Sequence, residues 1–233
     1  MEVVRYADRP DLRDARGRLQ GFPEYMNHNA MGWRYWGRLY KDFPEFQLAL
    51  VDGGRLVGEV HALPVPTDGD EMPAGWDDAF ERGMNAGRGD VLSLLAISVD
   101  PGRRGQGFAT RLIGAVREAA RDTGLRSVIA PVRPTLKERY QLIPIERYVL
   151  RRRDDGTHFD PWIRVHERAG GEIVRAAPAS MLIEAPVSEW EEWTEMRFPE
   201  DGSYVVPGML APLEVRGGVG VHVEPNVWMR HSV

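Results

Sequence analysis

The chain has 233 residues, of which 42% are hydrophobic and 28% are charged, and its formal net charge is −5. This is enough apolar material to bury a full core in one elaborated domain, and an acidic chain is a poor match for nucleic acid as its main partner. Cysteine does not occur, which excludes disulfides, thiolate metal ligands and a cysteinyl acyl-enzyme. Because the sequence has neither an apolar run of membrane-spanning length nor the apolar segment of a signal peptide, we expect a cytoplasmic protein.

The first predicted elements are a strand over residues 2–6 and a helix that Asp11 caps and that runs to about residue 20. Aromatic residues then recur at helical spacing between positions 30 and 40. Such a stripe is typical of a helix that packs on a core. Within it, Trp33 is also a candidate for lining an acceptor pocket, with Tyr35 as the alternative.

Two apolar runs, at residues 46–51 and 56–63, are separated by the turn Asp52-Gly53-Gly54 and predict a β-hairpin. Alternate side chains of a strand share a face, so Glu59 and His61 point the same way. A carboxylate and an imidazole are both groups that can serve as a general base. The same two residues equally fit a satisfied polar pair at a sheet edge.

An insertion, residues 64–90, separates the hairpin from the next apolar strand. Within it, a short helix is predicted to begin at Trp76, directly after Gly75. Long segments between core elements often act as lids or specificity loops, so Trp76 is a candidate acceptor contact.

The most informative segment is a nearly continuous apolar strand over residues 91–99, followed by a glycine-rich basic turn and a helix start. Gly105 and Gly107 let the backbone turn tightly and approach a ligand closely. The first amides of the next helix are electropositive, and Arg103 and Arg104 add positive charge beside them. The pattern therefore predicts a pyrophosphate site.

A second insertion, residues 131–159, is rich in basic side chains. Arg133, Lys137 and the three arginines at 151–153 are candidates for one basic wall that contacts either an anionic acceptor or a phosphate. Tyr140 is a further candidate acceptor contact. The triple arginine equally fits a solvated surface balanced by neighbouring acidic residues.

Beyond this insertion and the helix that follows it, the sequence predicts a strand at 180–185, a short helix at 188–193 and a hairpin at 213–223. We expect residues 188–233 to form a β-rich extension packed on the domain that precedes it.

The basic turn resembles a known signature. Arg104-x-x-Gly107-x-Ala109 is similar to the Q/R-x-x-G-x-G/A motif of the GNAT superfamily of acyl-CoA-dependent N-acyltransferases. The resemblance implies an α/β fold, in which a mixed, strongly twisted central sheet has helices on both faces and acetyl-CoA lies between two splayed central strands. It extends over residues 1–187, as one catalytic domain that contains the two insertions.

The resemblance also implies a set of cofactor contacts and no metal ion. The amides of the turn would hold the pyrophosphate of acetyl-CoA. The backbone at the end of the preceding strand would pair with the pantetheine arm and polarise the thioester carbonyl. The expected cofactor-binding residues are Ile97, Ser98, Val99, Arg103, Arg104, Gly105, Gln106, Gly107, Phe108, Ala109 and Thr110.

Two catalytic roles follow from the resemblance. In the family, the hairpin strand lies beside the phosphate-loop strand and often supplies a base, which here is Glu59 or His61. The family's tyrosine general acid lies on the fourth helix, four residues before a glycine, and His166 takes that place before Gly170. An imidazolium can protonate a leaving thiolate, and a half-buried capping histidine is the alternative.

The sequence thus predicts an N-acetyltransferase that moves an acetyl group directly from acetyl-CoA to a primary amine of a small molecule. One alternative is a decarboxylase or S-acyltransferase similar to the GNAT-like loading domains of polyketide synthases. These domains also have a histidine on this helix, but they use a threonine near the end of the fifth strand, where residues 130–133 lack a hydroxyl group. The other alternative is a CoA-binding sensor without turnover. We expect neither nucleic acid nor a membrane as partner, and a homodimer is compatible with the sequence.

Overall fold

The structure is a computed structural model that describes residues 1–19 and 21–233, without the side chains of residues 16–18. Over the described residues, nine strands form one mixed sheet. They are β1 (Glu2–Arg5), β2 (Gln47–Asp52), β3 (Arg55–Val65), β4 (Val91–Val99), β5 (Ser127–Val132), β6 (Gly171–Pro186), β7 (Gly202–Tyr204), β8 (Leu213–Arg216) and β9 (Val219–Ser232). Their order is β1-β2-β3-β4-β5-β9-β8-β7, and β6 pairs with β9.

The α-helices are α1 (Ala30–Tyr35), α2 (Leu39–Asp42), α3 (Trp76–Ala86), α4 (Phe108–Asp122), α5 (Ile145–Tyr148), α6 (Pro161–Arg168) and α7 (Val187–Thr194). Short 3-10 helices cover Pro10–Arg18, Glu24–His28, Trp36–Arg38, Pro44–Phe46, Pro101–Arg103 and Leu136–Tyr140. The helix predicted to start at Asp11 is the first of these 3-10 helices, and its expected end at residue 20 lies outside the described residues.

Helices cover both faces of the sheet, as the resemblance implies. On one face α4 packs on the central strands, and a Cβ atom added to Gly58 would lie 3.1 Å from Leu112. On the other face α3 packs on β3, where Gly83 lies directly against Leu63. The expected mixed α/β fold is therefore confirmed.

The central strand β4 and the helix after it form where the sequence patterns place them. β4 spans the predicted residues 91–99, and its first five side chains are buried because both faces of the sheet are covered at that point. Helix α4 buries a stripe of residues that recur every three or four positions, namely Phe108, Leu112, Ile113, Val116 and Ala120.

The expected division near residue 187 does not coincide with a break in the sheet. Residues 227–232 of β9 pair with β5, and the other edge of β9 pairs with β6. Val227, Trp228 and Met229 are all fully buried, since this strand lies between two others and is covered on both faces. The segment expected to be an extension therefore supplies an internal strand of the sheet.

Candidate active site

A gap opens between the two parallel central strands. β4 and β5 pair only at Leu92 with Val128 and at Ser93 with Ile129 within these fully described strands. Beyond Ser93, β4 continues to pair with β3 as far as Val99. The edge of β4 that faces β5 therefore presents backbone groups to an opening at the carboxyl ends of both strands.

A β-bulge marks the point where the two strands separate. His61 pairs with Ala96 and Ala62 pairs with Leu94, so Leu95 is the extra residue of β4. The indole N–H of Trp76 donates a 2.8 Å hydrogen bond to the Leu95 carbonyl. Trp76 is thus buried in the core, and from the start of α3 it holds β4 at the bulge beside the gap.

The glycine-rich turn lies at the same end of β4 as the gap. Gly105 and Gly107 have φ values of 78° and 81°, in the left-handed region that favours glycine. A Cβ atom added to Gly107 would meet nothing within 4 Å, so the backbone conformation, and not packing, calls for glycine. Gly107 immediately precedes α4, whose first amides have no partner within the helix and can bind an anion.

The two arginines of the turn have different surroundings. Arg103 donates to Asp52 at 2.6 Å, and its guanidinium lies over the ring of Phe108. The hydrogen bond from Arg103 also holds the pKa of Asp52 below its ordinary value. Arg104 is exposed beside the two glycines. Part of the charge of Arg103 is therefore offset by Asp52, whereas Arg104 lies at the surface of the turn.

Glu59 is a buried carboxyl group on β3, 5% exposed. Its Oε2 atom accepts a 2.6 Å hydrogen bond from the hydroxyl group of Tyr6. In the antiparallel register, Glu59 lies opposite Ala49 of β2 and Ser98 of β4, and such partners share a face. The structure thus places this carboxyl group beside the part of β4 that borders the gap.

His61 lies on the same face as Glu59, as predicted, and is fully buried. Its Nε2 atom is 3.2 Å from Oε2 of Glu59, and its Nδ1 atom is 3.1 Å from Oε1 of Gln47. The ring stacks on Tyr6 and meets Trp36 edge to face. Glu59 and His61 therefore form one buried polar cluster.

The face that carries Glu59 is covered where β4 ends. A Cβ atom added to Gly21 would lie 2.9 Å from Oγ of Ser98, which is itself 6% exposed. The chain at residue 21 therefore crosses closely over Ser98, and only a residue without a side chain can approach it there.

His166 is buried on α6, and its Nδ1 atom lies 3.0 Å from Nε2 of His231 on β9. Burial, with a smaller contribution from His231, lowers the pKa of His166 to about 3. The ring is therefore neutral at neutral pH. An imidazolium, which the expected role as general acid requires, is not the form present there.

The structure does not bring the five candidate acceptor contacts together. Trp33 is 86% exposed on α1, and Trp76 is buried on α3. The other three candidates all follow β5 in the chain: Arg133, Lys137 and Tyr140. Tyr140 packs on the rings of Tyr148 and Phe159.

The two basic candidates after β5 hold the chain together instead. Arg133 donates to the buried Glu224 and to the carbonyl of Gly208, and Lys137 donates to three carbonyls, including that of Leu210 at 2.6 Å. Burial lowers the pKa of Lys137 to about 8. These side chains thus fix the segment before β8 to the end of β5.

Two of the three arginines at 151–153 form described ion pairs at the surface. Arg152 pairs with Glu167 at 2.6 Å and Arg153 with Asp155 at 3.8 Å. Exposed pairs of this kind contribute little to stability. A contact of this run with a phosphate stays a prediction.

Three partners of the candidate residues were not identified from the sequence. Tyr6 and His231 lie near the two ends of the chain, and nothing in a single sequence links them to Glu59 or His166. Gln47 carries a weak signal, because it is a polar residue directly before four apolar ones in β2.

The part of the chain that the structure describes lacks two kinds of feature. No group of three or more histidine, aspartate or glutamate side chains in that part of the chain could hold a metal ion. Also within the described part, no helix is both long and apolar enough to span a membrane.

Comparisons with known proteins agree with this geometry. Residues 11–141 match the family model described as "Acetyltransferase (GNAT) family". The chain is 29% identical over 248 aligned positions to the arginine N-acetyltransferase avaD of Aspergillus versicolor, and the alignment covers 91% of this chain and 85% of that protein.

Among solved structures, the fold is similar to the loading GNATL domain of CurA from Lyngbya majuscula, with a TM-score of 0.63, 17% identity and coverage of 99% of this chain and 96% of that one. It is also similar to the GphF GNAT-like decarboxylase in complex with isobutyryl-CoA, with a TM-score of 0.62, 20% identity and coverage of 100% and 99%. These likenesses concern the fold. Since the family model matches more than half of the chain and includes the glycine-rich turn, the chain belongs to the acetyltransferase (GNAT) family.

Proposed function

We propose that this protein is an N-acetyltransferase that moves an acetyl group directly from acetyl-CoA to a primary amine of a small molecule. The observation that carries the proposal is that three features meet at one end of β4: the gap toward β5, the glycine-rich turn, and the buried carboxyl group of Glu59 on the neighbouring strand. An acyl donor and a proton acceptor are the two requirements of direct transfer to an amine.

The turn and the strand edge bind the cofactor in this proposal. The amides from Arg104 to Thr110 hold the pyrophosphate, with the exposed Arg104 as an additional cation. The backbone of Ile97–Val99 pairs with the extended pantetheine arm along the open edge of β4. The acetyl group then lies toward the bulge at Leu95, where the two strands separate.

The reaction requires the release of two protons from nitrogen. An alkylammonium ion cannot attack a thioester, so one proton must first pass to a base, and we assign Glu59 and His61 to that step. The amine then forms the C–N bond, the C–S bond breaks, and nitrogen loses its second proton. The departing thiolate takes up one proton from solvent, so the products are the acetamide, CoA thiol and one released proton.

The acceptor class is supported by the relative whose printed activity is arginine N-acetylation. We infer a small amine of the amino-acid type. This inference concerns the class of amine and not its identity, since arginine has both an α-amine and a guanidinium group.

A panel of amino acids, polyamines and amino sugars, assayed for released CoA with the acetylated product confirmed by mass spectrometry, tests the proposal. Glu59→Gln is expected to lower kcat/KM by about 10²–10⁴-fold, with the largest effect at low pH, where little free amine is present. The control is Glu172→Gln, which makes the same change at an exposed position on β6. Wild-type turnover of every accepted amine by Glu59→Gln would contradict the role of this carboxyl group.

A further inference from the structure

The buried amide of Gln47 has its orientation fixed by the backbone around it. Its Nε2 atom donates to the carbonyls of Phe43 and Ala62, both at 2.8 Å. A carbonyl can only accept a hydrogen bond, so the amide nitrogen must face these two oxygens. The amide oxygen of Gln47 therefore faces Nδ1 of His61, at 3.1 Å.

This orientation determines the tautomer of His61. Because Oε1 of Gln47 can only accept, Nδ1 of His61 must carry a hydrogen atom. In a neutral imidazole the other nitrogen then has no hydrogen. That atom is Nε2, which lies 3.2 Å from Oε2 of Glu59.

A neutral His61 would thus turn its lone pair toward an ionised carboxylate. Both side chains are buried, so the repulsion is weakly screened. The 3.2 Å contact has the distance of an ion pair but not the geometry of a hydrogen bond, and protonation of His61 at Nε2 converts the repulsion into attraction. Tyr6 donates to the same Oε2 atom at 2.6 Å, which favours the carboxylate form and places the proton on His61.

We infer that Gln47 is a positioning residue that holds His61 as the Nδ1–H tautomer, so that Glu59 and His61 act as one pair that binds a single proton at the acetyl-transfer site. The inference rests on the proposed function for its role in catalysis. The base is then the pair of Glu59 and His61. Gln47 touches neither reactant and acts by setting the tautomer of His61.

The surroundings of the pair contain further titratable and charged groups. Tyr6 stacks on the His61 ring, and Tyr40 meets it edge to face at 5.6 Å. The guanidinium of Arg13 lies 4.4 Å from the centre of the Tyr40 ring. Tyr6 follows β1, Tyr40 lies on α2 and Arg13 lies on the first 3-10 helix, so these groups come from three different elements.

The proton balance of the step is simple. The pair first loses its proton to solvent. The acceptor ammonium then loses one proton to the pair through solvent, because His61 is fully buried: an N–H bond of the amine breaks and Nε2–H of His61 forms. The free amine attacks the thioester, and the pair returns the proton to solvent. The acidic limb of kcat/KM therefore reports the release of the shared proton.

The tautomer can be read without any substrate. In a protein labelled with ¹⁵N-histidine, whose six histidine signals are assigned with the help of His61→Gln, we expect Nδ1 of deprotonated His61 to have a pyrrole-type shift and Nε2 a pyridine-type shift. Gln47→Met should reverse the two. Gln141→Met is the matched control, since Gln141 is also buried and donates to a backbone carbonyl, and it should leave the His61 signals unchanged.

The pH profile tests the catalytic part. In Gln47→Met, the neutral ring can exchange its proton with solvent and take up the Nε2–H tautomer, which turns an N–H group toward Glu59 without an added proton. The acidic limb of kcat/KM should therefore move to lower pH by about one unit. An Nε2–H tautomer in the wild-type protein would overturn the inference, and so would an unchanged acidic limb in a folded Gln47→Met. Failure of the proposed function is distinguishable, because the ¹⁵N measurement is made on the free protein and does not depend on which reaction it catalyses.

Discussion

His166 on α6 and His231 on β9 are joined by a 3.0 Å contact between Nδ1 and Nε2, and both rings are buried. Burial lowers the pKa of His166 to about 3 and that of His231 to about 4. Both rings are therefore neutral at neutral pH, and the pair connects the end of α6 to an internal strand of the sheet.

This pair should make the protein sensitive to acid. Both histidines have pKa values below the ordinary 6.5, so the unfolded chain binds more protons than the folded one. The stabilisation is complete above pH 6.5 and is lost as the pH falls toward 4. Between pH 7.5 and pH 5, we expect the free energy of unfolding in urea to fall by about 1–2 kcal/mol for each histidine.

The double variant His166→Gln/His231→Gln cannot take up these protons, so its stability should change less between the two pH values. Its stability at pH 7.5 is expected to be lower, because the packing is altered. An equal acid sensitivity in the variant and the wild type would show that the pair is not the source.

The glycine-rich turn can be tested with two variants at opposite ends of one helix. Gly107→Glu places a carboxylate where a phosphate would bind and should lower CoA affinity by about 10²-fold or more in calorimetry. Gly124→Glu makes the same change after the other end of α4, also at a positive φ and in open space. It should keep the affinity, and equal affinities in the two folded variants would remove the turn from the cofactor site.

The bulge at the gap can be tested through Trp76. Trp76→Phe removes the hydrogen bond to the Leu95 carbonyl and should cost about 1–2 kcal/mol of stability. Trp190→Phe is matched to it, since the Trp190 indole also donates to a buried carbonyl, that of Gly220 at 2.9 Å. Only Trp76→Phe should raise KM for acetyl-CoA. A similar KM in both variants would mean that the bulge does not position the cofactor.

Arg133 should prove a stabilising residue. It pairs with Glu224, which is fully buried and also bonds His222 at 2.6 Å. Burial opposes ionisation of Glu224, but Arg133 and His222 hold its pKa below the ordinary value. Arg133→Met leaves this charge buried without its main partner and should cost about 3–5 kcal/mol in urea unfolding.

The control for Arg133 is Arg152→Met, which breaks a pair of exposed side chains and should cost less than about 1 kcal/mol. Equal losses in the two variants would contradict the assignment. If Arg133→Met were stable and had a higher KM for the amine alone, Arg133 would be a contact of the acceptor after all.

The central part of the fold could be predicted from the sequence because its signals are local. The apolar run of β4, the periodicity of α4 and the glycines between them each depend on neighbouring residues. The position of β9 between β5 and β6 is a long-range pairing that joins residues about a hundred positions apart. The sequence predicted a β-rich segment over residues 188–233, but not the neighbours of its last strand.

The same difference between local and long-range signals applies to the candidate site. Glu59 and His61 were predicted to share a face because strand alternation is local, whereas their contacts with Tyr6 and Gln47 depend on the pairing of β1, β2 and β3. For Arg133 and Lys137 the sequence indicated charge, but only tertiary contacts show that this charge is used within the chain.

The most direct measurement of the central claim is a comparison of acetyl-CoA and malonyl-CoA as donors, with the acetylated amine and carbon dioxide followed together. An amine acceptor needs a base such as the Glu59 and His61 pair, whereas decarboxylation of malonyl-CoA does not need one and is hindered by a nearby carboxylate. The account predicts acetyl transfer to at least one amine at a rate well above any release of carbon dioxide. Release of carbon dioxide from malonyl-CoA faster than acetyl transfer to every amine tested would contradict it and favour the decarboxylase.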